Sequence, residues 1–267
     1  MNNILAGNTN SYHTYGLDDA LNGIAKAGFK YVELSAVRGW TEHIPLEATD
    51  AQIAEIQAKM DRLGLKASAL CGHSDLTTAE GVVDGKKAVD LCQKLGLTIM
   101  NTAIGGHYSE DEDRDSFMGY IHDLADYAAE GGVTLALEIH GDIMASGQLS
   151  IPLIHEIGRD NVKINYDTAN CVFYGGVEAV DDLRQVVPYL AHIHLKDTGG
   201  GKREWDFPAI SEGRLDFRAI LDLLEEEGYT GPFGVEIEFQ GEPWPPVLEV
   251  DRSMAVSHEH LKSLGLS

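Results

Sequence analysis

The chain has 267 residues, 43% of them hydrophobic and 24% charged, and its 43 acidic against 20 basic side chains give a formal net charge of −23. That balance excludes a broad nucleic-acid footprint, which needs lysine and arginine to neutralise phosphates. No apolar run reaches the ~20 residues that cross a bilayer, and the opening MNNILAGNTNSYHTYG has neither the basic nor the apolar region of a secretory leader.

Strands and helices alternate from end to end. Strand one is expected near Ile4–Asn8, with a helix over Leu17–Ala27 that stops at Gly28. Strand two covers Tyr31–Leu34. The helix at about Asp50–Leu63 places Ile53, Ile56, Met60 and Leu63 at helical spacing and stops at Gly64. Strand three is Lys66–Leu70, with a helix over roughly Gly81–Leu95 that stops at Gly96. Strand four, Thr98–Ala103, leads to a helix from about Asp115 to Glu130. Strand five is Thr134–Ile139, with a helix near Ile151–Ile157; strand six is Val162–Tyr166, with a helix near Val177–Val187. Strand seven is Leu190–Leu195, and a long loop, Asp197–Arg214, precedes the helix Asp216–Glu227. Strand eight is Phe233–Glu238, and a last helix covers about Glu249–Leu264. Eight βα units in a chain slightly above the ~250 residues usual for this architecture imply a single (β/α)8 barrel, one domain over residues 1–267. Cys71, Cys92 and Cys171, odd in number and without metal-ligand spacing, read as free thiols of a cytoplasmic protein. The acidic runs Ser109–Asp115 and Glu225–Glu227 read as solvated surface.

Four ionisable residues close four consecutive strands: Glu138 in LALEIH, Asp167 in VKINYD, His194 in LAHIHLKD and Glu236 in FGVEIEF. They are 29, 27 and 42 residues apart, about one βα unit each. Strand side chains alternate between faces. Leu135, Leu137 and Ile139 thus oppose Ala136, Glu138 and His140, and Ile193 and Leu195 oppose His192, His194 and Lys196. Each strand carries one apolar face, suited to lie under the helix ring, and one ionisable face directed into the barrel. At the C-terminal strand ends such groups reach the barrel mouth, where active sites of this fold sit. A Glu/Asp/His/Glu set converging there can hold one divalent metal, and three carboxylates with one imidazole suit Mn2+, Mg2+ or Co2+ better than a structural zinc. A lone Asp167 before Thr-Ala-Asn would equally serve as a helix cap; four such groups on matching faces are not explained by capping.

Around this set lie the candidates for substrate contact. His140 shares the face of Glu138 and reaches the mouth as a substrate contact, a proton-transfer group or a structural hydrogen-bonder. Lys196 stands two residues beyond His194, to bind an anionic oxygen or to pair with a carboxylate. Glu238 is either a partner behind the ligands or a rival of Glu236. His73 and His107 follow strands three and four and either line the pocket or bond within their loops. Trp205, in the long loop, either covers the substrate or packs the loop. Glu33 ends strand two, to bond substrate hydroxyls or to act as a surface or cap residue. Asn170 completes the set of expected substrate contacts. Strand one is not followed by a Gly-x-Gly-x-x-Gly fingerprint, so neither a nicotinamide nor a flavin is expected.

On LEIH, NYDTAN, HIHLKD, EGRLDF and GY-x-GPFGVEIE the chain resembles the xylose-isomerase-like barrels, a group of sugar phosphate isomerases and epimerases, over nearly its whole length. The resemblance implies that Glu138, Asp167, His194 and Glu236 bind one divalent metal and that the two glutamates serve as an acid/base pair. It implies an isomerase or epimerase acting on a ketose or keto-sugar through an enediolate; the alternative is a metal-dependent lyase or hydratase acting on a 3-keto-glycoside or inosose with His140 as base. An endonuclease IV-like hydrolase fits less well, because Asn170 stands where that enzyme has a histidine. Gly200 occupies the place of the arginine that ketose 3-epimerases carry six residues after the metal histidine, so their substrate contacts do not transfer. A small-molecule sugar is the expected partner, without nucleic acid or membrane; a homo-oligomer stays open.

Overall fold

The computed structural model describes residues 1–105, 111–241 and 243–266, and for residues 111–113 the backbone alone. Eight strands form a closed parallel barrel in sequence order: β1 (Leu5–Asn8), β2 (Tyr31–Ser35), β3 (Lys66–Cys71), β4 (Ile99–Thr102), β5 (Thr134–Glu138), β6 (Val162–Asp167), β7 (Leu190–Leu195) and β8 (Phe233–Val235), with β8 pairing back to β1. Helices α1 (Leu17–Ala27), α2 (Asp50–Leu63), α3 (Ala79–Leu95), α4 (Asp111–Glu130), α5 (Gly147–Ile157), α6 (Ala179–Val186), α7 (Phe217–Glu226) and α8 (Val247–Ser263) connect them. The chain is a single (β/α)8 barrel, as the repeated helix–glycine–strand pattern implies.

Local chemistry explains the regularity. In α2, Ile53, Ile56 and Met60 are buried, Thr49 and Gln52 form a reciprocal capping box, and Gly64 ends the helix at φ +70°. The apolar strand faces join the helices in one continuous core that includes Leu135, Leu137, Ile164, Tyr166, Ile193, Leu195 and Val235. The Glu225–Glu227 run is exposed; His107 and the side chains of residues 109–113 lie outside the described residues.

Three boundaries depart from expectation for visible reasons. β8 ends at Val235 rather than Glu238. Beyond it the Ile237 amide donates to Ser11 Oγ at 2.9 Å, so the backbone leaves the strand ladder just where Glu236 turns to the mouth. α5 starts at Gly147, not near Ile151, because Ser146 caps it by accepting from the Leu149 amide at 3.3 Å, while Asp182 on α6 accepts from the Gly147 and Gln148 amides at 2.7 and 3.1 Å. A π-helical turn over Cys171–Gly175 follows β6, where no element was expected.

One irregularity positions the site. Ile164 pairs with Leu190, but Asn165 pairs with His192, leaving an extra residue on β7. Without that bulge Asp167 would lie opposite Ile193, and the face of β7 in register with it would be apolar. The extra residue shifts the pairing by one, so His192 and His194 align with the inward Asn165 and Asp167.

Candidate active site

At the C-terminal mouth, Glu138, Asp167, His194 and Glu236 are all buried, and one ligand atom from each lies within 4.8 Å of every other. They come from β5, β6, β7 and the first position past β8. Every carboxylate is held the same way: one oxygen is tied to neutral donors and the other turns towards a shared centre. Glu138 Oε1 accepts from Asn170 Nδ2 at 3.0 Å. Asp167 Oδ1 accepts from the Ala169 and Asn170 amides at 2.8 and 2.7 Å, so the capping role and membership of the cluster coexist on its two oxygens. Glu236 Oε1 accepts from Asn8 Nδ2 at 3.3 Å and Asn10 Nδ2 at 3.0 Å. Glu138 Oε2 and Asp167 Oδ2 are buried without a hydrogen-bond partner. His73 Nε2 is 3.0 Å from Glu138 Oε2 but is not aligned for a hydrogen bond.

The electrostatics follow from this crowding. Burial raises Asp167 to about 7, with Glu138 and Glu236 adding to the rise against the pull of Lys196. Burial also disfavours the charge on Glu138, yet His194 and His73 outweigh it and hold that carboxyl well below the usual range. For His194 burial opposes protonation, but Glu33, Glu236 and Glu138 raise it well above its ordinary value. The ring therefore holds a second proton that a cation has to displace.

Glu33 belongs to a layer beneath the mouth, which corrects the reading of a surface or cap residue. It is fully buried, and both its carboxylate oxygens lie against His194 Nε2, at 3.1 and 3.2 Å. Asn101 Nδ2 donates to it at 2.6 Å. The Asn165 amide lies between His192 and His194, at 3.0 and 3.2 Å. Burial lowers His192 to about 4, so it stays neutral. Gly234, on β8, leaves the space this layer fills: a Cβ there would stand 2.2 Å from Glu33 Oε2.

Lys196 is 1% exposed, and it pairs with carboxylates. Its ammonium is in contact with Glu238, 3.4 Å from Glu236 Oε2 and 3.7 Å from Asp167 Oδ2, and 4.5 Å from the centre of the Phe207 ring. Glu238 is thereby the partner of Lys196 and stands outside the four-residue cluster, so it is not a rival of Glu236.

A cavity of 320 Å³ opens above the cluster and reaches His73, His140, Asn170, Lys196 and Trp205 among the expected contacts. That volume lies in the range of small-ligand sites. His140 Nε2 is 3.2 Å from Tyr174 Oη, and Trp205 packs edge-on against Phe173 and Phe207. Sequence reading missed Asn8, Asn10, Tyr174, Phe207 and Trp40. Asn8 ends β1 and caps the 3-10 turn Thr9–Tyr12 that holds Asn10, its side chain accepting from the Asn10 amide at 2.8 Å, so strand alternation could not point to the pair. The aromatic residues sit in loops and carried no such signal.

Comparison with known proteins agrees with this architecture. The model of the family described as xylose isomerase-like TIM barrel matches residues 21–262. The L-ribulose 3-epimerase of Methylomonas sp. (strain DH-1) is 25% identical over 240 residues, covering 83% of this chain and 78% of the relative. The L-ribulose-5-phosphate 3-epimerase UlaE of Salmonella typhi is 23% identical over 224 residues, covering 79% and 78%. A xylose isomerase-like TIM barrel protein from Mycobacterium smegmatis, solved in complex with magnesium, superposes with a TM-score of 0.78 at 19% identity, covering 98% of this chain and 96% of that one.

Proposed function

Because the chain belongs to the xylose isomerase-like TIM barrel family, we propose that it is a divalent-metal-dependent isomerase/epimerase acting on a ketose or keto-sugar. The observation that carries this reading is the common posture of the three carboxylates: one oxygen anchored, the other aimed at a centre shared with His194. Two of the aimed oxygens are buried without a hydrogen-bond partner, a costly state for a charged group. Three hard oxygen donors and one imidazole fit a hard or borderline divalent ion, with Mn2+ the first choice and Mg2+ or Co2+ served by the same donors. Glu138, Asp167, His194 and Glu236 would hold it. Bound there, the ion supplies positive charge that polarises a ketone and acidifies the C–H bond beside it.

The chain's own groups do the rest. Glu138, with its Oε1 fixed by Asn170, takes the proton from the carbon next to the carbonyl. Glu236 approaches from the far side of the ring of strands, and a proton returned from its carboxyl to the opposite face of the enediolate inverts the carbon. In the reverse reaction the two glutamates exchange roles. Return of the proton to the neighbouring carbon gives isomerisation from the same site. Asn170 fixes the Glu138 carboxylate, Asn8 and Asn10 fix Glu236, and Trp205, Phe207 and Tyr174 line a wall that limits water access. The paired His140 and Tyr174 are placed to orient a sugar hydroxyl. Three buried free thiols support the cytoplasm as the place of work.

The test is solvent deuterium exchange into a panel of ketoses, with product analysis by NMR, on protein stripped of metal and then reloaded. Exchange that depends on Mn2+, Mg2+ or Co2+ and yields the epimer or isomer is expected. Absence of exchange in every ketose by protein shown by elemental analysis to hold about one ion per chain would reject the reading.

A further inference from the structure

The two curated relatives differ by a phosphate in their names, one acting on L-ribulose and the other on its 5-phosphate, so family membership leaves that choice open. The cavity does not. We propose that the keto-sugar taken by this site carries no phosphate; this rests on the keto-sugar reading above and specifies its substrate class.

Lys196 is the only lysine or arginine among the described residues that line the cavity. Its ammonium faces Glu238, Glu236 and Asp167 and is covered by the Phe207 ring. A phosphate would have to displace a carboxylate to reach it. Residues 106–110 read Gly-His-Tyr-Ser-Glu, so whatever their position they add no lysine or arginine. Glu138, Asp167 and Glu236, with one of the two glutamates carrying the transferred proton, offset the charge of one divalent ion, and Lys196 is matched by Glu238. A dianion would find no unmatched cation to hold it.

Backbone amides are the other common phosphate grip, and among the described residues the glycine-rich turn after β7 is the place to look. Its amides are already used. Gly199 N–H donates to the Asp206 carbonyl at 3.1 Å, Gly200 N–H to Thr198 Oγ1 at 3.0 Å, and Gly201 N–H to Glu204 Oε2 at 3.0 Å. Arg203 is a rim cation near the aromatic wall, with its guanidinium carbon 5.0 Å from the centre of the Tyr174 ring. It is bound to Asp142, and its backbone is held at φ +64°. What the outer cavity does offer is aromatic surface. Trp40 and Trp205 are 46% and 36% exposed there, and Phe173 and Phe207 flank Trp205. Such walls suit the C–H faces of a neutral sugar.

Two of the chain's three tryptophans line the cavity, so binding is readable by fluorescence without turnover. Full-length protein loaded with Mg2+ is titrated with D-fructose and D-allulose, with D-fructose 6-phosphate and D-fructose 1-phosphate, and with inorganic phosphate. At least one free ketose is expected to bind 10-fold or more tightly than either phosphate ester, inorganic phosphate is expected not to compete, and Arg203→Ala is expected to change that ratio less than threefold. Tighter or equal binding of a phosphate ester overturns the proposal. So does competition by inorganic phosphate, a selective loss of ester binding in Arg203→Ala, or no measurable binding of any free ketose. Deuterium exchange on the same ligands separates the two readings. Exchange confined to phosphate esters keeps the isomerase/epimerase function and rejects this substrate class; tight binding of a free ketose without exchange does the reverse.

Discussion

Asp167→Asn should make the metal-free protein more stable while abolishing its response to metal. Asp167 is fully buried and shares its cavity with Glu138 and Glu236, and its pKa is raised from 3.8 to about 7. Holding it ionised in the fold costs about 4 kcal/mol at alkaline pH by the linkage of pKa to stability. Asparagine removes that cost but weakens the contacts with the Ala169 and Asn170 amides and loses Lys196, which together offset roughly half. A net gain of about 2 kcal/mol in excess EDTA at pH 8 is expected, or roughly 4–8 °C in melting temperature for a chain of this size. The sign fixes the pH window. A carboxyl whose folded pKa exceeds its unfolded one carries no penalty below about pH 4, and the penalty grows as pH rises to about 7. The advantage of the variant should therefore vanish near pH 4 and level off above 7. With Mn2+ at 100 times its Kd the wild type should gain about 2.7 kcal/mol and the variant almost nothing, which brings the two to near equality or reverses their order. Differential scanning fluorimetry across pH, with EDTA and with Mn2+, reads all of this. A variant no more stable than wild type in EDTA, or an equal rise of both with Mn2+, would refute the reasoning.

Glu138→Gln and Glu236→Gln should each keep most of the metal measured by elemental analysis yet lose turnover by about 10²–10⁴-fold, the usual worth of a positioned acid or base; retained turnover in both would exclude a two-glutamate mechanism. His140→Asn should still exchange the C–H proton with solvent, whereas loss of exchange there with retention in Glu236→Gln would point to elimination with His140 as base. Gly234→Ala drives a Cβ to 2.2 Å from Glu33 Oε2, so it should weaken metal binding about 10–100-fold by disturbing the support of His194, with Glu33→Gln moving calorimetric affinity the same way. Lys196→Met should cost about 3–5 kcal/mol in urea denaturation, since it strands buried carboxylates, and Lys196→Met/Glu238→Gln should recover part of that loss; a double variant no better than the single would show that Glu238 is not the partner that matters.

The fold and the faces that carry the four-residue cluster were legible because both follow from periodicity. Glycine after the helices and alternation within each strand imply the barrel, and alternation puts Glu138, Asp167, His194 and Glu236 on inward faces together with His192 and Glu238, among which the family resemblance chose the four. What escaped depends on non-local geometry. The bulge on β7 that brings His194 into register with Asp167 leaves no mark in LAHIHL. The start of α5 is capped locally by Ser146, but the two amides at its first turn are also held by Asp182, 35 residues later in sequence from Gly147. Glu33 looked like any strand-end carboxylate, and only closure of the barrel places it under His194, 161 residues away. Lys196 was readable as a mouth residue, but its contact with Glu238 required knowing that β8 stops at Val235 and turns.

The arrangement also separates folding from metal loading. A small metal domain collapses without its ion because nothing else closes its core. Here the apolar layer between strands and helices is complete without the cluster, and the cluster has its own internal counter-charges. His194 holds a proton among Glu33, Glu138 and Glu236, and Lys196 lies among Asp167, Glu236 and Glu238. These two cations keep three inward carboxylates tolerable without an ion. An ion bound there would displace the proton from His194 and leave Lys196 with Glu238. The site is thus built beforehand and held under electrostatic strain, which the Asp167→Asn comparison measures. Chelation should lower the melting temperature of the wild type while leaving its far-UV circular dichroism at 25 °C unchanged. Loss of helical signal on chelation would mean instead that the ion is part of the fold, and the preformed-site argument would fail.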